Sequence, residues 1–358
     1  GYREGSYKER GAPREALFAL ARAYHVNSEF DKAIEQYETY QNVMFKRHFA
    51  DIEYVNHQIK SCELGKSMID KPSEVQWLNM GKDINRFASN YNPVVSLNDS
   101  LIVYMTDKPL HRAIMESRLE SGGWTEPVEI TSIIGSDGNC FPTCLSRDGS
   151  ELYLVKRDAF ESDIYYSRRV DGNWTLMEKL NRNINTDYYE THASISLDGR
   201  KLLFTSDRPG GQGALDIWMS VRSAMGDWLP ALNLGSRINS HYNEETPFFT
   251  ENEKKIYLSS QGHSTMGGYD IFVSERLPSA LWSFPENLGY PISSTDDDLF
   301  FIPRSNGWRG YYSTTIDSLE GDRISYALRL EPAENVQIAA RRKGEIIDIP
   351  LISRDVVG

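Results

Sequence analysis

The stretch YETHASISLDGRKLLFTSDRPGGQGALDIWMSVRSAMGDWLPALNLG, Tyr189 to Gly235, reads as four short strands with their turns. Close copies stand on either side. FPTCLSRDGSELYLVKRDAFESDIYYSRRVDGNW runs from Phe141 to Trp174, and TPFFTENEKKIYLSSQGHSTMGGYDIFVSERLPSALW from Thr246 to Trp282. Each copy holds an apolar strand, an Asp-Gly or Asn turn, a second β-rich strand, a longer polar loop, an Asp-Ile-aromatic strand and a turn into Trp. The anchors keep step: Asp163, Asp216 and Asp270 are 53 and 54 residues apart, and Trp174, Trp228 and Trp282 are each 54 apart. A four-stranded unit repeated at that period predicts β-propeller blades, because one blade cannot bury both faces until its neighbours stack on it.

Outward from this centre the count reaches five. The first blade runs from Pro93, through PVVSL, LIVYMT and AIMESR to Trp124. The fifth is degenerate, with LFFIP, GYYST and RISYALRL but no outer strand of its own. VQWLNMGKDIN (Val75 to Asn85) has the form of a blade ending, compare LNLGSRIN and ENLGYPIS, yet it precedes any complete blade. Circular closure explains this, with Val75 to Leu78 supplying the missing strand of the last blade.

Residues 1–70 carry helical periodicity instead. Leu17, Leu20, Ala21 and Tyr24, then Ala33 and Tyr37, have tetratricopeptide spacing, with Ser28 or Asn27 as the expected N-cap of the second helix. A third helix is expected near Ala50 to Ile69, with Ile52, Val55, Ile59 and Cys62 on one face. Lys71-Pro72 breaks the pattern. The fold class is therefore α plus all-β multidomain: tetratricopeptide-type helical hairpins over 1–70, a five-bladed propeller closed by an N-terminal strand over 71–330, and a tail or the start of a β-sandwich over 331–358.

With 39 basic and 51 acidic residues the net charge is −12, which disfavours a nucleic-acid surface. No apolar run approaches the ~20 residues that span a bilayer. The chain begins at Gly1, as a processed or excerpted sequence does. Cys140 and Cys144 on an extended strand would lie ~13 Å apart, beyond disulfide reach, and read as buried small hydrophobes; a bend at Pro142 is the alternative that would bridge them.

Chemistry-bearing patterns are thin. There is no HExxH, GxSxG or zinc-type cysteine spacing. The repeated aspartates read as loop anchors, the repeated tryptophans as blade packing, and Gly210, Gly211 and Gly213 lack the following helix of a phosphate cradle. Asp296-Asp297-Asp298 without further oxygen ligands is a weak calcium pattern. No cofactor, metal or catalytic residue is expected. The tight turns should be two-residue hairpins on one face, leaving the long loops and crossings on the other for recognition. The expected partner-binding residues there are Arg157, Asp207, Arg208, Gln261, His263, Tyr188, Tyr189 and Tyr242, with Tyr24, Tyr37 and Tyr40 on the helices.

SLDGRKLLFTSDRPGGQGALDIW, the NLGxxIN endings and the preceding helical segment together resemble Bacteroidetes periplasmic proteins that join tetratricopeptide repeats to a TolB-like or WD-like propeller, a small β-sandwich and an OmpA-like peptidoglycan-binding domain, the PorE-like proteins of type IX secretion and gliding. The resemblance covers about residues 14–330, and no OmpA-like domain stands in this sequence. It implies a non-catalytic periplasmic scaffold with outer-membrane protein partners, reaching peptidoglycan only through a domain absent here. The alternatives are a glycan-binding or glycoside-hydrolase-like propeller and a TolB-like accessory that threads a partner's peptide through the central channel.

Overall fold

A computed structural model describes residues 13–43, 49–87, 89–121, 123–158, 161–250, 252–304, 309–317 and 321–329. The tail expected over 331–358 and the Asn306-Gly307 turn lie outside them. The strands form a five-bladed β-propeller. Blade 1 comprises Asn90–Val95, Leu101–Asp107 and Arg112–Glu120, with Gly123–Trp124 and Val128–Glu129 outermost. Blade 2 follows with Cys140–Leu145, Glu151–Arg157, Ser162–Val170, Asn173–Trp174 and Glu178–Lys179. Blade 3 is built from Glu190–Ile195, Lys201–Ser206, Asp216–Val221 and Leu232–Asn233, and blade 4 from Glu244–Phe249, Lys255–Ser260, Asp270–Glu275 and Glu286–Asn287. Blade 5 orders Val75–Asn79, Gly321–Arg329, Arg309–Asp317 and Ile302–Arg304.

The expected closure is present. Val75 pairs antiparallel with Arg329 and Asn79 with Ser325, so a strand from before blade 1 completes blade 5. The first strands of the five blades pack around the hub, each against the next, and blade 5 returns to blade 1. Arg304 seals that seam. It occupies the place that Ser96, Ser146, Ser196 and Thr250 hold in the other blades, and its guanidinium reaches Asp99 Oδ1 at 3.0 Å and the Val95 carbonyl at 2.6 Å.

The blade-ending motif has a physical role. Asn85 accepts from the Ile324 amide and donates to its carbonyl, both at 2.8 Å. Asn185 does the same to Ile164 and Asn239 to Ile217. Thr131 accepts from Ile114 N at 2.9 Å, and Ser293 from Ile271 N at 3.1 Å. In every blade, the segment leaving the outer strand thus reaches back to the third strand.

The first-to-second turns are longer than the two-residue hairpins expected. In blade 1, Ser96 N bonds the Leu101 carbonyl across a four-residue loop, Ser96 Oγ accepts from Leu101 N at 3.0 Å, and Asp99 takes φ 52°. Blades 2 to 4 repeat this with Ser146, Ser196 and Thr250. The hydroxyl satisfies an amide that a two-residue turn would pair through backbone alone. The Asp171-Gly172 turn is the two-residue kind, between paired Val170 and Asn173.

Trp124, Trp174, Trp228 and Trp282 are 4–8 % exposed and pack the blades. One core joins Tyr153, Ile164, Phe204, Trp218 and Trp228, and a second joins Leu203, Ile217, Ile256, Phe272 and Trp282. Cys62, Cys140 and Cys144 are free buried thiols, and burial pushes Cys144 up to about 11, leaving it unreactive.

By compactness the chain divides into two units, the described parts of 1–73 with 260–271 and 286–298, and those of 74–259 with 272–285 and 299–358. In the first, α1 (Glu15–Val26), α2 (Phe30–Val43) and α3 (Phe49–Asp70) surround Ala21, Phe30, Ala33, Tyr37, Val55 and Cys62. Small Ala21 and Ala33 let the helices approach, and aromatic rings fill the space around them. Asn27 closes α1 by donating to the Ala23 carbonyl instead of opening α2, and Ser28 turns the chain at φ 60°.

Replacing Arg304 with Met should cost about 3 kcal/mol, since Asp99 and the Val95, Ser96 and Pro303 carbonyls lose a buried cation. Urea unfolding of the purified protein measures it. A loss below about 0.5 kcal/mol would show that the seam does not depend on this side chain.

Candidate functional site

The repeated acids are absorbed into the fold. Asp163 meets Lys179 Nζ at 2.6 Å. Asp216 accepts from Gln212 N, Gly213 N and Asn233 Nδ2, holding its own loop closed. This is also why glycine stands in that loop: a Cβ on Gly211 would lie 2.1 Å from Asp216 Oδ2, and one on Gly213 2.1 Å from the Tyr242 carbonyl. Asp270 accepts from Met266 N at 2.7 Å and Asn287 Nδ2 at 2.6 Å, while its Oδ1 has no hydrogen-bond partner among the described residues. Burial, then the neighbouring Asp298 charge, pushes the Asp270 carboxyl well above the usual carboxylate range.

A second series was missed in the sequence. Glu190 accepts from Thr186 N and Oγ1, Glu244 from Ser240 N and Oγ, and Asp298 from Ser294 N, each acid capping the crossing that precedes it. The four-residue hydroxyl-to-acid spacing was the available signal. Among the described residues no three His, Cys, Asp or Glu are grouped to hold a metal.

The expected interaction residues separate into three places. Arg208 is half-buried: it pairs with Glu190 Oε1 at 3.1 Å, donates to the Asn183 and Ile184 carbonyls, and lies over the Phe204 and Trp218 rings. Burial, opposed by Glu190, lowers its affinity for the proton. Its role is internal. Tyr242 is half-buried, with its amide on Ser240 Oγ.

Arg157, Tyr188, Tyr189 and Asp207 form a cluster where the second strand of blade 2 ends and blade 3 begins. Asp207 Oδ1 accepts from Tyr189 N at 2.7 Å, and Tyr189 bridges Ser162 in parallel. The Arg157 guanidinium sits over two rings, 5.5 Å from the Tyr189 centroid and 5.8 Å from that of Phe141, which the sequence reading overlooked. Tyr188 is 46 % exposed beside them.

Gln261 and His263 fall in the compact unit that holds the helices. There His57 Nε2 donates to the Gln261 carbonyl at 2.7 Å, His25 Nε2 to the Met266 carbonyl at 2.9 Å, and Thr295 Oγ1 to the Val26 carbonyl at 2.7 Å. Gly65 leaves room here, since a Cβ there would lie 2.8 Å from the Phe30 ring and 3.3 Å from the Met266 carbonyl. Burial holds both imidazoles below their ordinary range, against the pull of the carbonyl bonds. Nothing in the helical spacing distinguished these histidines from surface ones. Of the helical tyrosines, Tyr37 is fully buried and offers no surface, whereas Tyr24 and Tyr40 are half-buried, with Lys32 over Tyr24 and Phe18 against Tyr40.

At the hub, a cavity of about 60 Å³ is lined by Val95, Leu145, Ile195, Phe249, Pro303 and Arg304 among others. That is room for a few waters.

No protein family and no characterised relative matches the sequence. Solved structures with a similar chain path include TolB from Acinetobacter baumannii, 19 % identical, covering 66 % of this chain and 54 % of that one at TM-score 0.44. An α-L-arabinofuranosidase from Lactobacillus brevis is 12 % identical, covering 70 % and 95 % at TM-score 0.44. An aldose sugar dehydrogenase from Streptomyces coelicolor is 10 % identical, covering 72 % and 99 % at TM-score 0.37. The chain thus spans about half the length of the TolB structure.

Two pH effects of opposite sign follow. A raised folded pKa at Asp270 means stability that is complete below the ordinary carboxyl value of 3.8 and is lost as pH rises through the folded value. Asp270→Asn should therefore unfold at a higher temperature than the parent at pH 8, the two converging near pH 4; a less stable variant at pH 8 would refute this. The lowered histidine values act oppositely, contributing stability that is complete above the ordinary 6.5 and lost as pH falls through the folded values. In the Asp270→Asn background, amide exchange in 57–69 and 260–266 should accelerate, after correction for intrinsic rates, between pH 7.5 and 5.5. Unchanged protection would refute it.

Proposed function

We propose that this protein is a non-catalytic scaffold, a propeller with helices that presents surfaces to protein partners of the cell envelope. The observation that carries the reading is the fate of the repeated polar residues. Asp163, Asp216, Asp270, Glu190, Glu244 and Asn239 are engaged in holding loops and crossings. Glycoside hydrolysis needs two acids about 5–9 Å apart facing a substrate space, and no acid is among the residues that line the hub cavity. What remains is a rigid ring with a varied loop face, which suits recognition.

The helical spacing favours tetratricopeptide-type repeats, and the sequence resemblance favours a periplasmic place at the outer membrane in a type IX-like machinery, with peptidoglycan contact through a further OmpA-like domain. Among the described residues no helix is long and apolar enough to cross a membrane.

Cross-linking of the native protein in intact cells, read by mass spectrometry, should recover envelope proteins linked to this chain. The purified protein should show no turnover on a panel of aryl glycosides. Turnover abolished by changing one acid pair would replace the scaffold with an enzyme.

A further inference from the structure

Two arginines among the described residues lie over two aromatic rings each. Arg208 stacks on Phe204 and Trp218, and its outer edge is filled by Glu190. Arg157 stacks on Phe141 and Tyr189, and among the described residues no hydrogen bond or ion pair fills the corresponding edge of its guanidinium. Arg169, Arg222 and Arg304 repeat the first arrangement, each over a ring and each against a carboxylate, Glu116, Glu151 and Asp99. Arg237 and Arg276 stack on one ring only.

We infer that Arg157, clamped by Phe141 and Tyr189 on the long-loop side of blades 2 and 3, is a receptor for a single carboxylate, that of a Glu or Asp side chain in an extended segment of a partner protein. The rings fix the guanidinium plane beforehand, so its forked donors meet a carboxylate with little further loss of side-chain freedom. Arg157 is exposed, so the ligand has access. A carboxylate fits better than a phosphate because Asp158, Glu161 and Asp207 are exposed along the same loops, in a chain of net charge −12. They oppose a multiply charged anion more than a singly charged one. Tyr188 supplies exposed ring surface for the segment's neighbouring residues. This site deepens the scaffold reading and rests on it.

The test uses the purified chain with 15N-labelled arginine, following side-chain Nε–Hε signals, with Arg157→Lys assigning the Arg157 signal by its disappearance. The probes are the peptide acetyl-Gly-Glu-Gly-amide, its Gln counterpart and inorganic phosphate. The Glu peptide should shift the Arg157 signal saturably, with Kd of about 10 mM, as suits one charge-assisted contact. The Gln peptide should bind at least about 10-fold more weakly, one charge-assisted contact being lost. Raising salt from about 20 to about 200 mM should weaken the Glu peptide several-fold. Tyr189→Leu, which keeps the apolar contact but removes the ring, should weaken it about 3-fold. Equal shifts from the Glu and Gln peptides, tighter binding of phosphate, or no saturable shift would each overturn the assignment. Envelope cross-links would survive any of these, so the failure of this site is distinguishable from failure of the scaffold reading.

Discussion

Ring closure is the constraint on which the propeller depends. A four-stranded blade has two apolar faces, and neither is buried until a neighbour covers it, so an open row of five would leave two sheets half wet. The chain solves this by splitting its last blade. Val75–Asn79 is made before blade 1 and paired with Gly321–Arg329 at the far end of the sequence. Arg304 adds an ionic clasp on the hub side of the same seam. The repeat is broken there for a reason: a serine would only serve its own turn, whereas an arginine reaches the first blade.

Within each blade the same economy appears in hydrogen bonds. An Asn, Thr or Ser after the outer strand returns to the third strand, and in blades 1 to 4 a hydroxyl in the first turn satisfies the amide that reopens the second strand. These are buried or half-buried polar contacts, costly to leave unmade, so the repeat preserves them while surface positions drift. Arg208 shows the limit of reading exposure from loop position. It lies in a long loop but turns inward onto Glu190, and its loop face is correspondingly less charged than its composition suggests.

The helical unit depends on similar contacts. Its histidines donate to carbonyls of 260–271, and Asp270 anchors the Met266 amide from the other side. Burial penalises charge on either group and outweighs these hydrogen bonds, which by themselves favour the charged forms. Gln261 and His263, chosen as loop residues, therefore belong to this packing environment.

The sequence by itself determined the five blades and the closing strand, because apolar strands, turns and anchors recur often enough to check one another. It also identified the helical pair through the spacing of Ala21, Ala33 and Tyr37. Only the tertiary structure decided which polar residues face inward. Arg157 and Arg208 lie in equivalent-looking loops, yet one meets a buried glutamate and the other two rings with an open edge. That difference arises outside each loop, where Glu190 on the neighbouring strand of the same blade meets Arg208 while Tyr189 reaches Arg157 from the next blade, and no local pattern encodes it.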